Sequence, residues 1–193
     1  MSSQATPPPD EAGGATPGAD RRLDFHPGME MRWEITRSTA DTTGELFEAT
    51  NWIGPEMPGP PLHVHPNADE SYDVIEGALD ICVDGEWRTL RAGESATAPA
   101  GVAHTLRNAT KEPVRLVNIH RPALRFESFF REMQGLIERG KIKHLPPKEP
   151  RSAIYVAMLF GKYPEEIRVV KPPSAVFKAL AALGRALGFK LDH

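Results

Sequence analysis

Residues 63–77 read HVHPNADESYDVIEG, and the spacing of His63, His65, Glu70 and Gly77 within them decides the fold. On a strand, successive side chains alternate faces, so His63 and His65 point the same way, about 6.5–7 Å apart. Both rings can then close on one ion held about 2.0–2.2 Å from each nitrogen. Val64 turns to the opposite face, into apolar packing. The run Pro66-Asn67-Ala68-Asp69 predicts a tight reversal that returns Glu70 on the next strand. Two imidazoles and a carboxylate on neighbouring strands suit a borderline divalent metal.

A second block, residues 93–108, reads GESATAPAGVAHTLRN. The two blocks together resemble the paired motifs of the cupin superfamily. The first motif (HxH, four residues, Glu, six residues, Gly) is matched by His63, His65, Glu70 and Gly77. The second is matched by Gly93, Pro99, Gly101, His104 and Asn108. The first motif usually carries a Gly six residues before its first His; here that position is Met57, flanked by Gly54 and Gly59, which points to a displaced turn. The resemblance covers roughly residues 43–120. It implies a mainly β chain: a small, single-domain, type-2-like cupin, an antiparallel β-barrel or double-sheet jelly roll with the metal inside. It also implies that His104 joins His63, His65 and Glu70 as a ligand, and that the protein forms a homodimer.

The composition sets outer limits. At 193 residues and 40% hydrophobic content, the chain suffices for one well-packed domain and is short for two. The net charge of -3 and the lack of a long basic run give nucleic acid no electrostatic footing. One cysteine, Cys82, makes no internal disulfide, which favours a reducing compartment. The first twenty residues have no apolar core of the secretory kind, and no run of about 18 apolar residues offers a membrane span. A cytoplasmic location without membrane association is the expectation.

Along the chain, residues 1–22 are rich in Pro, Gly, Ala and acidic residues and read as a disordered tail. Residues 23–122 read as the barrel. Strands are expected over Met29–Ile35 and Glu45–Trp52. The Pro/Gly loop 54–61 then stiffens the approach to His63. Leu79, Ile81 and Val83 alternate ahead of Asp84-Gly85, a two-residue hairpin signal. Cys82 reads as a buried thiol of the barrel wall. Residues 123–193 read as a helical extension packed on the barrel or on a partner subunit. Phe126, Phe129, Phe130, Met133, Leu136 and Ile137 mark a helix ending near Gly140. Ser152 is expected to cap a second helix over 153–161. Pro172, Pro173 and Ser174 open a third, with Val176, Leu180, Leu183 and Leu187 as its packing stripe and Gly188 as its cap.

Four protein ligands on an octahedral ion leave two positions for water or substrate. The set is compatible with iron(II), manganese, nickel, copper, cobalt or zinc, and iron(II) is the first expectation, since oxygen chemistry is common among cupins with these ligands. Glu70 can act as a fixed ligand, or as the catalytic base that takes a proton from a substrate hydroxyl. Tyr72 shares the face of Glu70, and Leu106 that of His104. Trp52 and Met57 are placed near the entrance by position. His120, on the closing strand, reads either as a ligand contact or as a hydrogen-bonded histidine at a strand end. A small, partly apolar organic substrate fits such a pocket. Three functions stay open: a metal-dependent oxidoreductase of dioxygenase type, a non-redox metal-dependent isomerase or lyase, and a non-enzymatic small-molecule-binding or accessory protein.

Overall fold

The computed structural model describes residues 21–171 and 173–191. The tail expected over 1–22 lies outside the described residues up to 20. Arg22 belongs instead to the first strand. Pro172, expected at the start of the last helix, also lies outside them.

The described residues form β1 (Arg22–Asp24), β2 (Met31–Arg37), β3 (Phe47–Ile53), β4 (His63–Val64), β5 (Asp69–Glu76), β6 (Ala78–Val83), β7 (Glu86–Arg91), β8 (Ser95–Ala98), β9 (His104–Arg107), β10 (Val114–Arg121), α1 (Phe126–Glu138), α2 (Pro150–Lys162), β11 (Arg168–Val169) and α3 (Ser174–Ala186). One sheet runs β1-β2-β3-β10-β5-β8 and the other β11-β4-β9-β6-β7, with antiparallel pairing in both. This is the mainly β double-sheet barrel expected, with helices after it.

Alternation explains what faces inward. Phe47, Ala49, Asn51 and Ile53 of β3 are buried while the residues between them are not. Val114, Leu116, Asn118 and His120 of β10 behave likewise. The β6–β7 hairpin turns at Asp84-Gly85, both with positive φ (52° and 84°), as a primed two-residue turn requires. Cys82 is buried and free.

Beyond the barrel, the helices depart from expectation in informative ways. α2 begins at Pro150, whose fixed φ suits the first helical position. Ser152 therefore lies inside the first turn instead of capping it. Its hydroxyl donates to Lys141 O and accepts from Lys143 N. α3 buries Ala181 and Gly184, not the leucine stripe, because small residues let it approach α2 closely. A Cβ on Gly184 would stand 2.5 Å from Ile154. Val176, Leu183 and Leu187 remain exposed. Residues of α1 and α2 share one apolar core with the barrel strands. β11, unforeseen, pairs with β4. No helix among the described residues is long and apolar enough to cross a membrane.

Candidate metal centre

The two sheets bring the candidate ligands together from opposite walls. β4 and β9 pair at His63↔His104 in the five-stranded sheet. Glu70 lies on β5 of the six-stranded sheet, opposite His120 of β10. His65 follows β4 directly. Each of His63, His65, Glu70 and His104 is at most 7% exposed, and their candidate ligand atoms lie within 4.8 Å of one another.

Hydrogen bonds fix the tautomers. A carbonyl oxygen only accepts, so each ring that meets one must carry its proton there. His63 Nδ1 donates to Pro61 O (2.8 Å), His104 Nδ1 to Val102 O (2.8 Å) and His65 Nδ1 to Glu166 O (2.6 Å). In the neutral rings this leaves Nε2 as a bare lone pair, the arrangement of metal-binding histidines. Yet Glu70 Oε2 lies 2.9 Å from His65 Nε2 and 2.8 Å from His104 Nε2. Lone pair cannot face lone pair at that distance, so either protons or a cation must lie among these atoms. Donors about 2.1 Å from one ion and at right angles about it are about 3 Å apart. The donor chemistry and the spacing therefore both fit a divalent ion. Asn118 Nδ2 holds the other carboxylate oxygen, Oε1, at 2.8 Å.

Electrostatics divide the histidines. Burial, with repulsion from His65 and His104, pushes the His63 ring down to about 3, so it stays neutral. Burial would raise the Glu70 carboxyl, but the neighbouring His120, His65 and His104 outweigh it and hold it well below the usual carboxylate range. Burial would lower His104, but its contact with Glu70 outweighs burial and raises the ring above its ordinary 6.5. That raised value means the His104–Glu70 contact stabilises the metal-free protein below pH 6.5, and the contribution is lost as pH rises through the folded-state value. A metal must displace the same proton. Affinity is therefore expected to rise with pH up to that folded-state value, with proton release on binding, and to level off above it. Calorimetric titration in buffers of different ionisation enthalpy reads this directly; affinity and proton release both independent of pH would contradict it.

His63, His65 and Glu70 of the candidate cluster form one side of a cavity of about 100 Å³, and His104 lies behind them. Tyr72, Leu106 and His120 line it, as do Asn51 and Asn118. Burial, then the charge of Glu70, raises the Tyr72 phenol well above its usual value, so it remains a donor. His120 is fully buried against Phe126 (ring centroids 4.0 Å). Neither ring nitrogen has an aligned partner, although Nε2 lies 3.3 Å from Glu70 Oε1.

Trp52 is placed elsewhere. The alternation of β3 turns it outward, where the Arg32 guanidinium lies 5.2 Å from its ring. Met57 is buried, but its sulfur accepts from Gly59 N and it does not line the cavity. The roof comes from residues unremarked as lining in the sequence: Phe129, Phe130 and Met133 of α1, with Leu145, Pro146 and Ile167. Asn118 was findable, since it shares the parity of His120.

Residues 53–120 match the family model described as "Cupin domain". This barrel is a cupin domain. The matched stretch includes all four candidate ligands and ends at His120. A 66-residue stretch, 34% of this chain, is 39% identical to Quercetin 2,3-dioxygenase of Bacillus subtilis (strain 168). A 50-residue stretch, 25% of the chain, is 48% identical to HTH-type transcriptional regulator SutR of Escherichia coli (strain K12). These stretches span only 20% and 28% of the two relatives' lengths. Among solved structures, TT1209 from Thermus thermophilus is similar at 25% identity and a TM-score of 0.45, covering 52% of this cupin and 90% of that chain.

Proposed function

We propose that this cupin is a metal-dependent oxidoreductase of dioxygenase type that acts on a small, largely apolar molecule bearing an acidic hydroxyl. The observation that carries the reading is the cluster of His63, His65, Glu70 and His104, of which the first three line a cavity whose opposite side is aromatic, aliphatic and thioether. Among the described residues, no Lys or Arg lines that cavity, which favours a substrate without a phosphate or several charges. Its volume, about 100 Å³, is below the roughly 300–1,000 Å³ typical of sites for drug-sized ligands. A compact substrate follows. The resemblance over 66 residues to a quercetin dioxygenase supports oxygen chemistry.

When bound, the ion supplies a Lewis-acidic centre which, for iron(II), our first choice, is also redox-active. The chain supplies the rest. His63, His65 and His104 present Nε2 lone pairs. Glu70, ionised and held by Asn118, can accept the hydroxyl proton of the substrate. Tyr72 donates a hydrogen bond to the oxygen so formed. Phe129, Phe130 and Met133 exclude water.

The experiment is an oxygen-uptake screen of small enols and phenols with iron-loaded protein. The expected result is uptake that requires iron and is absent in Glu70→Ala. Turnover that persists without oxygen would replace this reading with isomerase or lyase chemistry. A second reading, a ligand-binding sensor or accessory protein, draws on the 48% identity to a transcriptional regulator. Ligands that raise Tm but are never consumed would favour it.

A further inference from the structure

We infer that residues 163–170, anchored by Arg125, are a positioning arm for the metal centre, fixing the tautomer and aim of His65 from outside the cupin domain. The inference rests on the metal reading above.

The three ring histidines are not oriented in the same way. His63 and His104 find their Nδ1 acceptors two residues back, at Pro61 O and Val102 O, inside the matched domain. His65 has no such local partner. Its acceptor, Glu166 O, lies 101 residues further along, beyond the point where the family match ends. His65 also lies past the end of β4, a strand of two residues that meets β9 through a single pair. The arm supplies what β4 lacks. Val169 pairs with His63 and Arg168 with Val64, and Val170 N donates to Leu62 O at 2.9 Å. Asn67, just after His65, donates to Glu165 Oε2 at 2.7 Å.

The arm is itself held in place. The Glu166 side chain is 2% exposed and turns to Arg125, which donates from Nε to Oε1 (3.0 Å) and from Nη2 to Oε2 (3.3 Å). Arg125 stands at the N-terminus of α1, its guanidinium 4.9 Å from the Tyr163 ring. One residue, Glu166, thus gives its carboxylate to a helix of the extension and its carbonyl to a ligand histidine. Arg125 and Glu166 are positioning residues; neither ligates the ion. Acceptors of this kind, when disturbed, typically cost about 10–100-fold in metal affinity.

The test uses the full chain as wild type, as Arg125→Met/Glu166→Gln, and as Arg125→Lys. The double variant removes the anchor without leaving a buried carboxylate unpaired. Two readouts are taken: the imidazole nitrogen NMR signals of His65 in metal-free protein, and the dissociation constant for cobalt(II). Expected for the double variant is loss of the slowly exchanging His65 Nδ1–H signal and a fall of about 10–100-fold in cobalt affinity. Arg125→Lys should fall between, and that single variant decides the matter where the double variant does not fold. An unchanged His65 signature, or unchanged cobalt affinity in a folded variant, would overturn the arm. If the wild type itself binds no cobalt, the metal reading fails and takes the arm with it, an outcome separate from failure of the variants alone.

Discussion

Glu70→Ala should abolish metal binding at micromolar metal and destabilise the metal-free protein as well. The carboxylate is 7% exposed and serves four groups at once. Its Oε2 meets His65 and His104, and its Oε1 takes Asn118 and lies 3.3 Å from His120. Removing it leaves buried polar partners without an acceptor, and breaking a buried pair in this way costs about 3–5 kcal/mol. The loss of a direct ligand should exceed the 10–100-fold typical of outer partners, so at least about 100-fold in affinity is expected. Glu70→Gln keeps the volume and should recover part of the stability, but it turns an uncharged amide toward the ion. Urea unfolding of metal-free protein and metal titration separate the two effects. Wild-type affinity in Glu70→Ala would remove Glu70 from the ligand set.

Gly59→Ala should cost more than about 4 kcal/mol, the range reserved for substitutions with a specific structural cause. The residue adopts φ +80°, and a Cβ there would stand 1.6 Å from Leu106 O and 2.8 Å from Leu106 C. Both are backbone atoms, so no side chain can swing aside. The strand that must yield, β9, carries His104. Metal affinity should therefore fall with stability. Gly44→Ala is the control: its φ is +86° but nothing lies within 4 Å, so only the left-handed penalty of about 1–2 kcal/mol applies. Equal costs at the two positions would refute the close approach. This glycine also accounts for Met57 standing where the first motif usually has Gly. The turn is displaced by two residues, and Gly59 makes the tight contact.

The convergence of His63 and His65 was legible because strand parity is a local rule, and that of Glu70 because residues 66–69 read as a reversal; His104 came from the resemblance of the second block, and Asp84-Gly85 was legible because its φ values demand those residues. Trp52 was misplaced by relying on closeness to the loop; the parity from Phe47 through Asn51 turns it outward. Asn118 lay one parity step from His120 and was overlooked. The roof was harder to foresee. The period of α1 fixes which face is apolar, not which surface it covers, so Phe129, Phe130 and Met133 could have packed on the outer sheet. On α3, glycine and alanine, invisible to a hydrophobic pattern, set the α2 contact, with Leu180 of the stripe packed beside them. β11, two residues long, carries no periodicity at all. Glu166 acts on His65 through a backbone carbonyl, which no sequence motif records.

The most direct measurement is the metal content of protein purified without oxygen, beside a His63→Ala/His104→Ala double variant. The account predicts close to one divalent transition metal per chain in the wild type and none in a folded double variant. A wild type that stays metal-free after reconstitution, or a double variant that keeps its metal, would contradict it.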